Sequence, residues 1–137
     1  MAARLTALAA ASFLALPAIA GAQAAASLRG FLVYFDLDSA ELTEGGAGIV
    51  RDFAEIHALQ PVSRIIVVAH ADTAGEAAHN RALSQQRARR IADALAEEGV
   101  DPAIIMLDPR GESEPAVPTG DGVAEQLNRR AEIVYLK

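Results

Sequence analysis

Cysteine is absent from this chain of 137 residues, and its absence excludes several kinds of chemistry. The chain has no disulfide, no thiolate metal ligand, no cysteine nucleophile and no lipid attached through an N-terminal cysteine. Packing alone must therefore stabilise the fold, and the length suffices for one domain with a single core. Lysine is also scarce, because Lys137 is the only one.

Positive charge is in the minority. The chain carries 12 Lys and Arg against 18 Asp and Glu, a formal net charge of -6. The basic residues cluster only in two short runs, Arg87 to Arg90 and Arg129 to Arg130. Nucleic-acid binding requires a clustered basic surface that neutralises phosphates. We therefore expect no nucleic-acid partner.

The first residues have the pattern of a secretory signal peptide. Arg4 supplies a short positive region, residues 5–20 are apolar, and Ala22-Gln23-Ala24 is a small-x-small cleavage site. A retained membrane anchor is the alternative, but 16 residues at 1.5 Å each span only about 24 Å, less than the roughly 30 Å bilayer core. We predict an exported protein without a membrane span.

This pattern divides the chain into three parts. We expect a signal peptide over residues 1–24, a linker over residues 25–30 and one domain over residues 31–137. Within that domain, apolar runs and turn residues predict alternating strands and helices. The predicted strands are Phe31–Phe35, Arg64–Ala69, Ile104–Leu107 and Arg130–Leu136. The first predicted helix is Thr43–Leu59, and the second begins at Asn80 or Ser84 and ends at Glu98. Short helical turns are predicted at Asp101–Pro102 and Val123–Asn128.

The first two strands are apolar throughout, which predicts burial on both faces. With the helix between them they form a β-α-β unit, for which we expect parallel pairing and a right-handed crossover. The helical spacing of apolar residues predicts which side chains are buried. These are Ile49, Phe53 and Ile56 in the first helix and Ala88, Ile91, Ala92 and Leu95 in the second.

Polar loops follow both strands, at Asp36 to Ser39 and His70 to Gly75. Ligands of parallel sheets bind beyond the carboxyl ends of the strands, so these loops form the expected site. A strand-loop-helix turn also brings the opposite charges of Asp72 and Arg87 near each other. A zwitterion would fit between them.

Arg87 lies early in the second helix, where the positive end of the helix dipole disfavours a cation by about 0.3 to 1 kcal/mol unless an anion is near. Two explanations stay open at this point. The guanidinium forms an ion pair with Asp72 or Asp36, or it clamps a ligand carboxylate with two hydrogen bonds.

A set of short motifs in fixed order resembles one known family. The motifs are Val33-Tyr34-Phe35-Asp36 with Ser39-Ala40, His70-Ala71-Asp72 with Gly75, Asn80, Leu83-Ser84 with Arg87-Ala88, Gly111-Glu112 with Pro115, and Asn128-Arg129-Arg130. Together they resemble the OmpA-like peptidoglycan-binding domain over about residues 31–137. The resemblance implies an α+β domain of order β-α-β-α-β-β, with a mixed four-stranded sheet, helices on one face and an antiparallel last strand.

The resemblance also implies the ligand, which is the diaminopimelate residue of the peptidoglycan stem peptide. In such a domain the position of Asp72 contacts the ligand ammonium and that of Arg87 its carboxylate. The loop of Asp36 and Asp38 adds contacts, and Asn80 and Arg129 complete the pocket. No enzyme activity, cofactor or metal is implied. The expected location is the periplasm, at the cell wall or outer membrane, with envelope proteins such as Tol-system components as further partners.

Three alternatives come from the residues themselves. Asp36 and Asp38 after an apolar strand resemble the nucleophile motif of magnesium-dependent phosphatases, but the chemistry also needs a lysine that this chain offers only at Lys137. His70, Asp72 and His79 come from one loop and could converge on a zinc ion, although their spacing matches no closed set of zinc ligands. Docking of a protein partner, such as a periplasmic β-propeller, is the third.

Overall fold

A computed structural model describes residues 29–137, so the predicted signal peptide and most of the predicted linker lie outside the described residues. The first strand begins at Arg29, two residues before the predicted start of the domain. The order of elements agrees with the prediction. They are β1 (Arg29–Tyr34), α1 (Glu44–Leu59), β2 (Arg64–Ala69), α2 (Ala77–Glu97), β3 (Ile105–Pro109) and β4 (Arg130–Leu136), with 3₁₀ turns at Pro102–Ile104 and Gln126–Asn128.

The four strands form one mixed sheet in the order β1-β4-β2-β3. β4 is antiparallel to both its neighbours, and β2 pairs with β3 in parallel. The α+β fold with an antiparallel last strand is thus confirmed. The predicted pairing of β1 with β2 is wrong, because β4 lies between them. Glu132 of β4 stands opposite Leu32 on one side and Val68 on the other.

Both helices pack on one face of the sheet, and the core lies between the two layers. Its sheet side consists of alternate strand residues that are at most 9% exposed, namely Val33, Ile65, Val67, Ala69, Ala131, Ile133 and Tyr135. The prediction that β1 is buried on both faces is wrong, since Leu32 is 44% exposed. No helix among residues 29–137 covers that side.

The first helix begins as predicted, because the side chain of Thr43 accepts a hydrogen bond from the Gly46 N–H at 3.0 Å. Its buried face differs from the predicted one. Phe53 is 1% exposed and packs edge-on against Phe31, with the ring centroids 5.3 Å apart. Ile56, however, is 45% exposed, and Val50 occupies the core instead. The helix is therefore rotated toward the side of Val50 and Ala54.

The second helix begins earlier than predicted, at Ala77, and neither Asn80 nor Ser84 caps it. Glu76 holds the N-cap position without a side-chain hydrogen bond to the first turn. The predicted end is confirmed, since Gly99 follows the helix with a φ of +96°. Within residues 29–137, no helix combines the length and the apolar character that a membrane span requires.

Candidate functional site

A cavity opens where β1 and β2 end and α2 begins, which is the edge of the sheet expected from the sequence. Its volume is about 240 Å³. Pockets for drug-sized ligands measure roughly 300–1,000 Å³, so this one suits a smaller group. It is lined by Leu37 and Asp38 from the loop after β1, by Asp72, Ala74 and Gly75 from the loop after β2, and by His79, Asn80 and Leu83 from α2.

Asp72 is the most enclosed carboxylate of the cavity wall, with only 4% of the residue exposed. One oxygen, Oδ1, accepts the Ala74 N–H at 3.3 Å. The other, Oδ2, accepts the Glu125 N–H at 3.2 Å and Nη1 of Arg129 at 3.1 Å. These three donors fix the orientation of the carboxylate. The site therefore presents a fixed negative charge beside a partly covered arginine.

Arg87 is completely buried below the two loops. Its Nε, Nη1 and Nη2 groups donate to three backbone carbonyls, those of Ser39 at 2.8 Å, His70 at 2.9 Å and Asp36 at 3.1 Å. The guanidinium also lies 5.0 Å from the ring centroid of Phe35. Neither ion pair considered from the sequence forms, because Asp72 pairs with Arg129 and the Asp36 carboxylate faces outward.

The burial of Arg87 has an electrostatic consequence. Loss of solvation lowers its pKa to about 10, and the charge of Asp72 acts in the opposite direction. The side chain stays cationic at neutral pH. A guanidinium has five N–H donors, of which three are bonded to carbonyls. Arg87 thus holds the two loops in place and puts a positive charge behind the cavity.

The rim of the cavity is closed on one side by Asp38 and His79. His79 Nε2 lies 2.5 Å from Asp38 Oδ1, although both side chains are more than half exposed. Asp38 has a φ of +51°, a left-handed conformation that aspartate tolerates better than most residues. The contact links the first loop to the first turn of α2. His79 is a lining residue that the sequence did not assign to the pocket.

Asn80 lines the cavity, and Arg129 bonds to the Asp72 carboxylate of its wall. Asn80 is 1% exposed and donates from Nδ2 to Glu112 Oε2 at 2.8 Å. Arg129 donates from Nε to the Phe35 carbonyl at 3.0 Å, in addition to its bond with Asp72. Each side chain therefore ties the cavity wall to another loop. Among the predicted site residues, Asp38, Asp72 and Asn80 line the cavity, whereas Asp36, Arg87 and Arg129 do not.

His70 lies under the second loop rather than in the cavity. It is 2% exposed, and its Nδ1 has no hydrogen-bond partner among the described residues. Burial, and then the charge of Arg130, lower its pKa below the usual value of 6.5. Within the described part of the chain, no three His, Asp or Glu side chains are grouped so that they could hold a metal ion. His70, Asp72 and His79 therefore do not assemble the zinc site considered above.

A small cavity lined by the carboxylates of Asp38 and Asp72, with the enclosed guanidinium of Arg87 behind it, thus lies at the edge of an α+β sheet. The OmpA family model matches residues 34–129, and the chain belongs to this family.

Two curated relatives and one solved structure illustrate the similarity. Outer membrane porin F of Pseudomonas fluorescens is 34% identical over 100 residues, which cover 73% of this chain but 31% of the porin. The peptidoglycan-associated lipoprotein of Haemophilus influenzae is 33% identical over 75% of this chain and 67% of its own. The crystal structure of the peptidoglycan-associated lipoprotein from Burkholderia pseudomallei superposes with a TM-score of 0.69 at 30% identity, covering 76% of this chain and 88% of that one.

The chain spans less than half of the length of the first curated relatives that it matches, 31%, 30% and 46% respectively. Those proteins contain further sequence beyond this domain. The similarity therefore concerns this domain alone.

Proposed function

We propose that this domain binds peptidoglycan non-covalently through the diaminopimelate residue of the stem peptide, in the periplasm of a bacterial envelope. The observation that carries the proposal is the cavity wall formed by Asp38, Asp72 and Asn80. The names of the lipoprotein relatives, which state an association with peptidoglycan, support it.

The ligand head group is a zwitterion with one ammonium and one carboxylate on the same carbon. The ammonium is assigned to Asp72 and Asp38, and the position of both residues in the cavity wall supports this assignment. Asp72 contributes the more strongly, since its burial removes the water that would screen the charge.

The ligand carboxylate needs positive potential at the opposite side of the cavity. Gly75 leads into α2, whose first turn has no side-chain cap, so its backbone N–H groups remain available to an anion. Arg87 adds a positive charge from below, although its side chain is completely buried and does not line the cavity. Contact between Arg87 and the ligand remains a prediction.

Co-sedimentation with purified peptidoglycan sacculi tests the proposal. We expect the unmodified protein to pellet with sacculi, and Asp72→Ala and Arg87→Ala to remain largely in the supernatant. Asp52→Ala is the matched control, because Asp52 is an exposed acid on α1 outside the cavity. The variants are compared at a temperature at which circular dichroism shows each one folded. Equal pelleting of all four proteins would refute the site and favour docking of a protein partner instead.

A further inference from the structure

A second concavity lies beside the cavity, on the other side of the start of α2. This groove has a volume of about 640 Å³. Its walls come from the first half of α2 and the loop between β3 and β4, including Ala77, Arg81, Arg110, Glu112 and Asp121. Asn80 and Arg81 are consecutive, yet Asn80 lines the cavity and Arg81 lines the groove. The two depressions therefore lie on either side of the start of α2.

Backbone contacts fix the shape of the groove. The Gly111 N–H donates to Ser84 Oγ at 2.9 Å, and the Gly111 carbonyl accepts the Ala71 N–H at 2.8 Å. The hydroxyl of Thr73 donates to the Gly120 carbonyl at 2.7 Å, and the Thr73 carbonyl accepts the Gly122 N–H at 2.9 Å. The loop is thus tied to the site at both ends. A preformed groove costs a ligand little ordering entropy.

The charges of the groove are unequally satisfied. Arg110 is bonded to Asp108 and Glu114, and Glu112 is bonded to Asn80. Arg81 and Asp121 are exposed, and neither side chain has a polar partner among residues 29–137. Arg81 stands closest in sequence to the cavity. Its guanidinium can therefore receive a carboxylate from a ligand that already occupies the cavity.

We propose that the groove binds an acidic peptide segment next to the zwitterion, with Arg81 as the residue that recognises its carboxylate. This inference rests on the proposed function. The free zwitterion is the side-chain end of diaminopimelate, so the peptide to which this residue belongs extends away from the cavity and can pass the wall at Asn80 into the groove. The carboxylate of the neighbouring acidic residue then lies on the side of Arg81. The γ-linked D-glutamate of a stem peptide carries such a group.

Calorimetric titration of the protein with three probes tests this assignment. The probes are free meso-diaminopimelate, the tripeptide L-alanyl-γ-D-glutamyl-meso-diaminopimelate, and the same tripeptide with the glutamyl α-carboxylate converted to an amide. We expect the acidic tripeptide to bind about two- to fivefold more tightly than its amide, the range of an exposed ion pair. Arg81→Ala should abolish that difference, and Arg81→Glu should reverse it.

Two controls separate this inference from the proposed function. Arg51→Ala removes an exposed arginine of α1 outside the groove and should keep the preference for the acidic tripeptide. Free diaminopimelate should bind the unmodified protein and Arg81→Ala equally. If Arg81→Ala keeps the preference, or weakens all three probes alike, the groove assignment is overturned and the cavity assignment stands. If no probe binds the unmodified protein, both are overturned.

Discussion

The carboxylate of Asp72 and the guanidinium of Arg129 form an ion pair at 3.1 Å that connects the loop after β2 to the residue before β4. Both side chains are largely enclosed, with 5% and 14% exposure. The negative charge of Asp72, which we propose as the partner of the ligand ammonium, is thus already paired with a cation of the protein itself. Asp72 is fixed in direction before any ligand arrives.

This relationship predicts strong coupling between the two residues. Removal of one partner leaves the other charge buried without compensation, so Asp72→Ala should lower the free energy of unfolding by about 3 kcal/mol or more. A double-mutant cycle with Arg129→Ala should give a coupling energy of about 1 to 3 kcal/mol from urea denaturation. The Arg129 bond to the Phe35 carbonyl is lost in both backgrounds and cancels. A coupling energy near zero would mean that the pair does not contribute to folding.

Arg87 has a structural role that is measurable without any ligand. Replacing it by alanine deletes three hydrogen bonds and leaves the carbonyls of Asp36, Ser39 and His70 unpaired in a closed space. We expect Arg87→Ala to lower the free energy of unfolding by about 3 kcal/mol or more, since each unpaired buried group costs about 1 to 3 kcal/mol.

Arg87→Lys separates charge from geometry. An ammonium keeps the positive charge but cannot reach three carbonyls in the planar arrangement of a guanidinium. The lysine variant should therefore recover only part of the lost stability in the same urea titration. Arg89→Ala, an exposed neighbour on the same helix, should stay within about 0.5 kcal/mol of the unmodified protein. A lysine variant as stable as the original would show that the three bonds matter little.

The sequence predicted the order of the elements and the loops that form the site, because hydrophobic periodicity and turn residues report local structure. It did not predict that β4 separates β1 from β2. Which strands become neighbours in the sheet depends on distant segments of the chain. Because β1 and β2 are equally apolar, their sequences do not show that a third strand lies between them. The sequence placed Ile56 rather than Val50 in the buried face of α1. The helical stripe that begins at Ile49 and the one that begins at Val50 differ by only one position, so the apolar pattern did not distinguish them.

At the site, the sequence identified the charged residues but not their partners. Asp72 and Arg87 were expected to face each other, yet Arg129, which lies 57 positions after Asp72, takes the ion pair. The local sequence does not predict that backbone carbonyls converge on Arg87, because those carbonyls come from two separate loops. Tertiary structure determines which residues form ion pairs across long sequence separations. The position of Arg87 in the helix, by contrast, was enough to predict that its side chain points toward the core.

The unusual surroundings of His70 predict a dependence of stability on pH. Burial first, and then the charge of Arg130, lower the pKa of His70 in the folded state, and Arg110 acts in the same direction against Glu132 and Glu114. In the unfolded chain, His70 titrates near its usual value of about 6.5. The unfolded state therefore binds the proton first, and the contribution to stability is lost as the pH falls below about 6.5.

A comparison of the unmodified protein with His70→Gln isolates this effect. The other titratable groups are common to both proteins, so their contributions largely cancel in the difference. The free energy of unfolding from urea titrations at pH 7.5 and pH 5.5 should fall more steeply for the unmodified protein. If the two proteins lose the same stability between these pH values, His70 does not favour its neutral form in the folded state.

Gly111 lies close to the backbone of α2 and gives the last test. Its φ is +58°, and a Cβ there would lie 3.3 Å from the Cα of Arg81, in the helix that separates the cavity from the groove. Alanine is strained in this backbone conformation, and the neighbouring atom belongs to a rigid helix backbone that cannot move aside cheaply. We expect Gly111→Ala to lower the free energy of unfolding by about 1 to 3 kcal/mol.

Gly120→Ala is the matched control in the same loop. A Cβ at Gly120 meets nothing within 4 Å, and its φ is not in the left-handed region. This substitution should be neutral or should stabilise the protein by up to about 1 kcal/mol, because it restricts the unfolded chain. Urea denaturation of both variants measures this difference in the free energy of unfolding. If Gly111→Ala were as stable as Gly120→Ala, the loop would not need its close contact with α2, and the groove wall would be less rigid than the hydrogen bonds of Gly111 indicate.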